Sequence, residues 1–142
     1  MNSSINKLAG GRYTVGQMIG TGGMADVYQG LDTRLNREVA IKVILPEHAN
    51  TPMFVRRFET EAQLVARLEH PYIVPLYDYW RDANGAYLVM RYLRAGSLTK
   101  LIKEKGPLSI DRAILMLNQI ASALTAAHSK GIIHRDLKPD NI

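Results

Sequence analysis

The sequence predicts an α+β fold, a mostly antiparallel sheet followed by helices, and three observations carry that prediction. Short β-branched and aromatic runs bounded by glycine crowd the first 92 residues, with one helical segment among them. After Gly96 the apolar residues recur at helical spacing instead. Strands and helices do not alternate, which argues against a doubly wound parallel sheet.

Residues 13–19 read as a strand running into a turn at Gly20, and residues 27–31 resume strand chemistry. Residues 38–44 alternate, with Val39, Ile41 and Val43 on one face and Ala40, Lys42 and Ile44 on the other. Thr51-Pro52 is an N-cap with proline at the first helical position, and His70-Pro71 closes the segment that follows. Its apolar stripe is Phe54, Phe58, Val65 and Leu68, and Glu61 completes the spacing, so an acid is expected on the buried line. Residues 76–81 and 86–91 flank Asn84-Gly85, a dipeptide that favours a tight turn with positive φ, and form a hairpin with Pro75 just ahead of it. Ser97 caps a short helix to about residue 103. A longer one spans 109–130, with Ile110, Ile114, Leu117, Ala121, Leu124 and His128 on one stripe and Gly131 as its stop. Asn2-Ser3-Ser4 and Gly10-Gly11 mark residues 1–12 as a flexible leader, leaving 13–142 as a single domain.

Composition narrows the classes. A 142-residue chain that is 46% hydrophobic and 22% charged is globular. At this length it can bury about 68% of its unfolded surface. With no cysteine, disulfides, thiolate zinc sites and a catalytic thiol are excluded. Eighteen Lys and Arg against thirteen Asp and Glu give +5, which suits an anionic ligand. These cations are dispersed and lack an aromatic stacking platform, so no nucleic-acid partner is expected. No apolar run approaches the ~20 residues of a membrane span, and the start lacks a signal-like core, so the chain as given is expected to be soluble and its setting cytoplasmic, any membrane anchor of a parent protein lying beyond residue 142.

Three motifs carry chemistry. Gly20-Thr21-Gly22-Gly23-Met24-Ala25 is a glycine run whose backbone donors can approach phosphates, although a surface hairpin uses the same residues. Asp26-Val27-Tyr28 continues as strand, which excludes a Rossmann turn, and no Gly-Lys-Ser/Thr follows, which excludes a Walker loop. Lys42 is the second. A lysine on an apolar strand face usually snorkels to water, but Glu61 on a buried stripe offers it a partner, each offsetting the other's desolvation. Glu59 sits about 100° around the helix from Phe58 and faces solvent. The third is His134-Arg135-Asp136-Leu137-Lys138-Pro139-Asp140-Asn141, where a carboxylate, a cation and an amide oxygen fall within six positions of a chain that Pro139 keeps irregular. Such a loop suits an anion with a hard metal.

In this order the motifs resemble the N-terminal half of bacterial eukaryotic-like (Hanks-type) serine/threonine protein kinases, over residues 13–142. The resemblance implies a protein-kinase-like fold. Residues 13–92 would form a complete N-lobe of five antiparallel strands plus one helix, and 93–142 the hinge, two helices and catalytic loop that begin a helical C-lobe. It implies ATP and Mg2+ as cofactors, and protein substrates that include the kinase itself. Ile19, Gly20, Thr21, Gly22, Gly23, Met24, Ala25, Asp26 and Val27 would cover ATP. Lys42 would grip its α- and β-phosphates, and Glu61 would position Lys42. Ala40 would touch adenine, Met90 would be the gatekeeper, and Arg91, Tyr92 and Leu93 would offer hinge backbone. Asp136 would be the catalytic base, Lys138 the phosphate contact typical of serine/threonine kinases, and Asn141 a magnesium ligand. His134 would brace the loop and His128 would be structural. Arg135 beside Asp136 resembles kinases whose activation loop is ordered by a phosphate.

Two departures stand out. Ala25 replaces the third glycine, a small change that nucleotide binding should survive. The sequence ends at Ile142, before any Asp-Phe-Gly, activation loop or peptide platform, so an incomplete and inactive fragment is expected. The rival is a non-catalytic, pseudokinase-like nucleotide-binding or interaction module, against which Lys42, Asp136 and Asn141 argue together. The stripe from Ile110 to Leu124 is likewise expected to lack covering partners. A γ-phosphate transfer assay on the 142-residue chain with a basic protein substrate should give no signal above background, and Asp136-dependent turnover would refute that.

Overall fold

The computed structural model describes residues 7–142. The chain packs as two compact units, Met1–Ala66 with Pro75–Tyr92, and Arg67–Val74 with Leu93–Ile142.

The first unit is built on a six-stranded antiparallel sheet with strand order β1-β2-β3-β4-β6-β5. Its strands are β1 (Lys7–Leu8), β2 (Tyr13–Thr21), β3 (Ala25–Asp32), β4 (Arg37–Ile44), β5 (Leu76–Asp82) and β6 (Gly85–Arg91). Side chains alternate across it. Val39, Ile41, Tyr13 and Val89 form a fully buried cluster on one face. Ala25, Ile44 and Ala86 meet Phe58 and Ala49 on the other. Register places Lys42 opposite Val27 on one side and Leu88 on the other, in the middle of the ladder.

Helix α1 (Pro46–Ala49) is a single turn, and α2 (Pro52–Ala66) follows it. The Phe54 amide donates to Thr51 Oγ1 at 3.4 Å, so the expected cap forms. Phe54 and Phe58 stack at 5.2 Å, and Phe58 meets Tyr79 edge-on at 6.2 Å. The buried line then continues to Ala62, and Glu61 is exposed. This corrects the expected stripe: the helix turns its 54-58-62 row to the sheet and leaves the carboxylate in water, where its charge costs nothing to solvate.

Three further details differ from expectation. Residues 7–11, assigned to a flexible leader, form β1, paired Lys7↔Thr14 and Leu8↔Tyr13, and a 3-10 turn, while residues 1–6 lie outside the described residues. The sheet therefore has a sixth, two-residue edge strand. In the β5–β6 hairpin Asp82 pairs with Gly85, the Asn84 amide donates to Asp82 Oδ1 at 2.8 Å, and positive φ falls on Gly85 alone of the Asn-Gly pair, at 145°. A Cβ at Gly85 would collide with the Ile44 carbonyl, so glycine is required there for packing.

A charged network fastens the start of β2 across the sheet. Arg12 donates to the fully buried Asp32 at 3.1 Å and to Asp78 at 2.9 Å, and the Tyr13 hydroxyl donates to Asp78 at 2.7 Å. Trp80 stacks between Tyr13 at 5.6 Å and Tyr87 at 4.8 Å.

In the second unit, α3 (Leu98–Lys105) and α4 (Ile110–His128) start at Ser97 and Ser109, whose hydroxyls each accept an amide at 3.3 Å. The chain leaves α4 through Gly131 at φ 75°, with the Ile132 amide returning to the Ala127 carbonyl. On the apolar stripe of α4, Ile110 is 79%, Ile114 52% and Leu117 64% exposed, while Leu124 is half-buried.

Burial pushes the Asp32 carboxyl up, but the hydrogen bond from Arg12, the amides of Arg34 and Leu35 and the Arg12 charge hold it below the ordinary value. Its stabilisation is therefore present above the unfolded carboxylate pKa, about 3.9, and is lost as pH falls through the folded value. Burial, the Asp82 charge and a hydrogen bond to Asp82 raise the Tyr87 phenol. Its contribution is present below about pH 10 and is lost as pH rises through the folded value. Urea melts followed by Trp80 fluorescence should show stability falling on both sides of this window. Asp32→Asn should cost roughly 3 kcal/mol at pH 7, because Arg12 loses its buried partner, and should flatten the acid limb.

Candidate functional site

The glycine run forms the tip of the β2–β3 hairpin. The Gly22 amide donates to the Ala25 carbonyl at 2.9 Å, closing the turn, and Thr21 Oγ1 donates to Asp26 Oδ1 at 2.7 Å across its neck, where Gly20 pairs with Val27. None of Gly20, Gly22 and Gly23 has positive φ, and a Cβ on any of them would meet nothing closer than 3.5 Å. The fold does not need glycine at these positions, in contrast to Gly30, where a Cβ would approach the Thr14 carbonyl to 2.8 Å. Bare backbone at the tip leaves room for close approach of a ligand. Ile19 and Met24 are exposed beside it, and Ala25 is buried against Ile44 and Phe58.

Lys42 is half-buried in β4, and Ala40, two residues before it on the same face, is buried opposite Met90. Among the described residues no ion pair joins Lys42 to Glu61, so the pairing expected between them is not formed. Met90 is half-buried in β6, and Arg91 follows it with its amide on the Pro75 carbonyl at 3.2 Å. Leu93, in the second unit, is 51% exposed.

The polar loop of the second unit closes on itself. The Asp136 amide donates to His134 Nδ1 at 3.2 Å, so this ring nitrogen accepts and His134 braces the backbone rather than presenting a base there. Arg135 between them has φ 64°, a left-handed conformation rare for a side chain of its size. Asn141 Nδ2 donates to the Asp136 carbonyl at 2.8 Å and to Asp136 Oδ2 at 3.3 Å, and Lys138 Nζ lies 3.4 Å from the same Oδ2. Pro139–Asn141 form a 3-10 turn that brings Asn141 back to Asp136, and the Leu98 amide donates to the Ile142 carbonyl at 2.6 Å. The Asp136 and Lys138 side chains are 67% and 50% exposed, so their pair adds little stability. What it supplies is a carboxylate with fixed orientation beside a cation.

The protein kinase domain family matches residues 13–142. The chain belongs to that family. It is 44% identical over 138 residues to the serine/threonine-protein kinase PrkC of Bacillus subtilis (strain 168), covering 97% of this chain and 21% of the relative. To PknA of Mycobacterium tuberculosis (strain ATCC 25618 / H37Rv) it is 41% identical over 147 residues, covering 100% of this chain and 34% of that one. The chain thus spans about a fifth to a third of the length of these relatives. A crystal structure of Rad53 1-466 in complex with AMP-PNP superposes with a TM-score of 0.84 at 28% identity, covering 93% of this chain and 34% of that chain. His48, whose ring reaches the Gly23 carbonyl at 3.2 Å, was missed because one turn of helix leaves no periodic signal.

Asn141→Ala removes both side-chain bonds to Asp136. Amide exchange of residues 135–137 should quicken about fivefold, the effect of one ordinary hydrogen bond, and unchanged exchange would mean the loop is held otherwise.

Proposed function

We propose that the chain carries the ATP-binding and catalytic-loop portions of a serine/threonine protein kinase. The reaction moves the γ-phosphoryl group of ATP to serine or threonine hydroxyls of proteins, the kinase itself among them. The observation that carries this reading is the Asp136 carboxylate, held by Asn141 and flanked by Lys138 in a loop whose strain and hydrogen bonds serve no evident packing purpose.

In this reading Asp136 receives or orients the proton of the attacking hydroxyl, and Lys138 offsets charge on the phosphoryl oxygens. Lys42 and the amides of the Ile19 to Val27 hairpin hold the phosphates, while Ala40, Met90, Arg91 and Leu93 take the adenine. Asn141 fits a magnesium role, because its Nδ2 is committed to Asp136 and its Oδ1 remains a hard oxygen ligand. Among the described residues no cluster of three His, Cys, Asp or Glu could hold a metal. Bound there, magnesium would neutralise charge on the nucleotide. Among the described residues no helix is long and apolar enough to cross a membrane.

One observation favours a second reading. Glu61 is exposed and separate from Lys42, as suits a nucleotide-binding module that does no chemistry. Titration with a fluorescent ATP analogue tests the binding both readings share. Lys42→Met should weaken affinity at least about tenfold, the effect of one charge-assisted contact, while Asp136→Asn should change it little. Equal binding by Lys42→Met and wild type would sink the nucleotide reading. Phosphotransfer above background by the Asp136→Asn chain would sink the assignment of the base.

A further inference from the structure

The hairpin tip has little restraint of its own. Gly22 and Gly23 carry no side chain, and a Cβ on Gly23 would touch nothing within 4 Å. Besides the closing Gly22–Ala25 bond, three bonds nevertheless fix it. Thr21 and Asp26 pin the neck, and the Leu45 amide donates to the Met24 carbonyl at 3.1 Å, extending the β3–β4 ladder by one step. The third comes from outside the hairpin and the ladder: His48 Nε2 lies 3.2 Å from the Gly23 carbonyl. A carbonyl oxygen can only accept, so the ring donates, as its Nε2-protonated tautomer and its imidazolium both do.

We propose that His48 is a positioning residue for the nucleotide, fixing the tip of the glycine hairpin through the Gly23 carbonyl. This deepens the nucleotide reading above and rests on it. The peptide between Gly23 and Met24 is trans and planar, so its carbonyl and amide point in opposite directions. Holding the carbonyl on His48 therefore aims the Met24 amide away from α1, as a preset donor for an anion. The backbone that carries the ring is well anchored. The His48 and Ala49 amides return to the Leu45 carbonyl at 3.0 and 2.9 Å, Ala49 is fully buried, and Thr51 Oγ1 donates to the His48 carbonyl at 3.1 Å while capping α2. A donor seated on such a support restrains the tip at small entropic cost.

The test compares wild type, His48→Phe and His48→Gln, the last because its side-chain amide can return a donor to nearly the same point. Hydrogen exchange of residues 22–25 and titration with a fluorescent ATP analogue are measured on each. His48→Phe should speed loop exchange and weaken the analogue about fivefold, with His48→Gln within about twofold of wild type. Exchange of residues 39–43 should stay constant, which a general loss of stability would not allow. His48→Ala gives the same comparison should the phenylalanine variant not fold. Equal loop exchange and equal affinity in wild type and the donor-free variants would overturn the proposal. A wild-type chain that binds no analogue would instead count against the nucleotide reading, and loop exchange alone would then decide the tether, equal rates overturning it.

Discussion

The two-residue period of the antiparallel ladder is the constraint on which the rest depends. Once Val39, Ile41 and Val89 are committed to one buried face, Ala40, Lys42 and Leu88 have no choice but the other. A slip of one residue would bury the Lys42 ammonium in the Tyr13 cluster and expose three branched side chains, so the register is strongly specified. The same ladder, continued past Ile44, brings Leu45 to Met24 and so sets the height of the glycine tip. Lys42, Ala40 and the glycine hairpin are thus positioned by one set of backbone hydrogen bonds.

The polar loop of the second unit works on a different principle. It owes its shape to local bonds among His134, Asp136, Lys138 and Asn141, and residues 133–141 are all exposed. Pro139 removes an amide donor and starts the 3-10 turn, so the chain folds back within five residues of Asp136. Such a loop is compact through its polar contacts and open to solvent. It can present a carboxylate without the desolvation cost that a buried site would impose.

The sheet and helix starts were legible because they depend on local chemistry: alternation in β4, Thr51-Pro52 before α2, Ser97 and Ser109 before α3 and α4. The polar loop was legible because its residues are contiguous. What the sequence hid depends on partners distant along the chain. The Arg12–Asp32–Asp78 network ties the residue just ahead of β2 to β3 and β5 across 66 positions, and no periodicity announces it. Lys7–Leu8 becomes a strand only because the edge of β2 offers it a ladder. Glu61 and Ala62 differ by one position on a helix whose rotation is chosen by Phe54, Phe58 and Tyr79, so spacing alone could not tell which of the two would face the sheet.

The glycines at the hairpin tip separate two kinds of constraint. Because Gly20, Gly22 and Gly23 neither relieve a clash nor occupy a left-handed backbone, replacing one with alanine should scarcely alter how well the polypeptide folds. A side chain at these positions therefore leaves the sheet undisturbed, whereas one at Gly30 or Gly85 would obstruct the ladder itself. Ala25, already departing from the all-glycine pattern, is a change the architecture absorbs by seating its methyl in the Phe58 cluster.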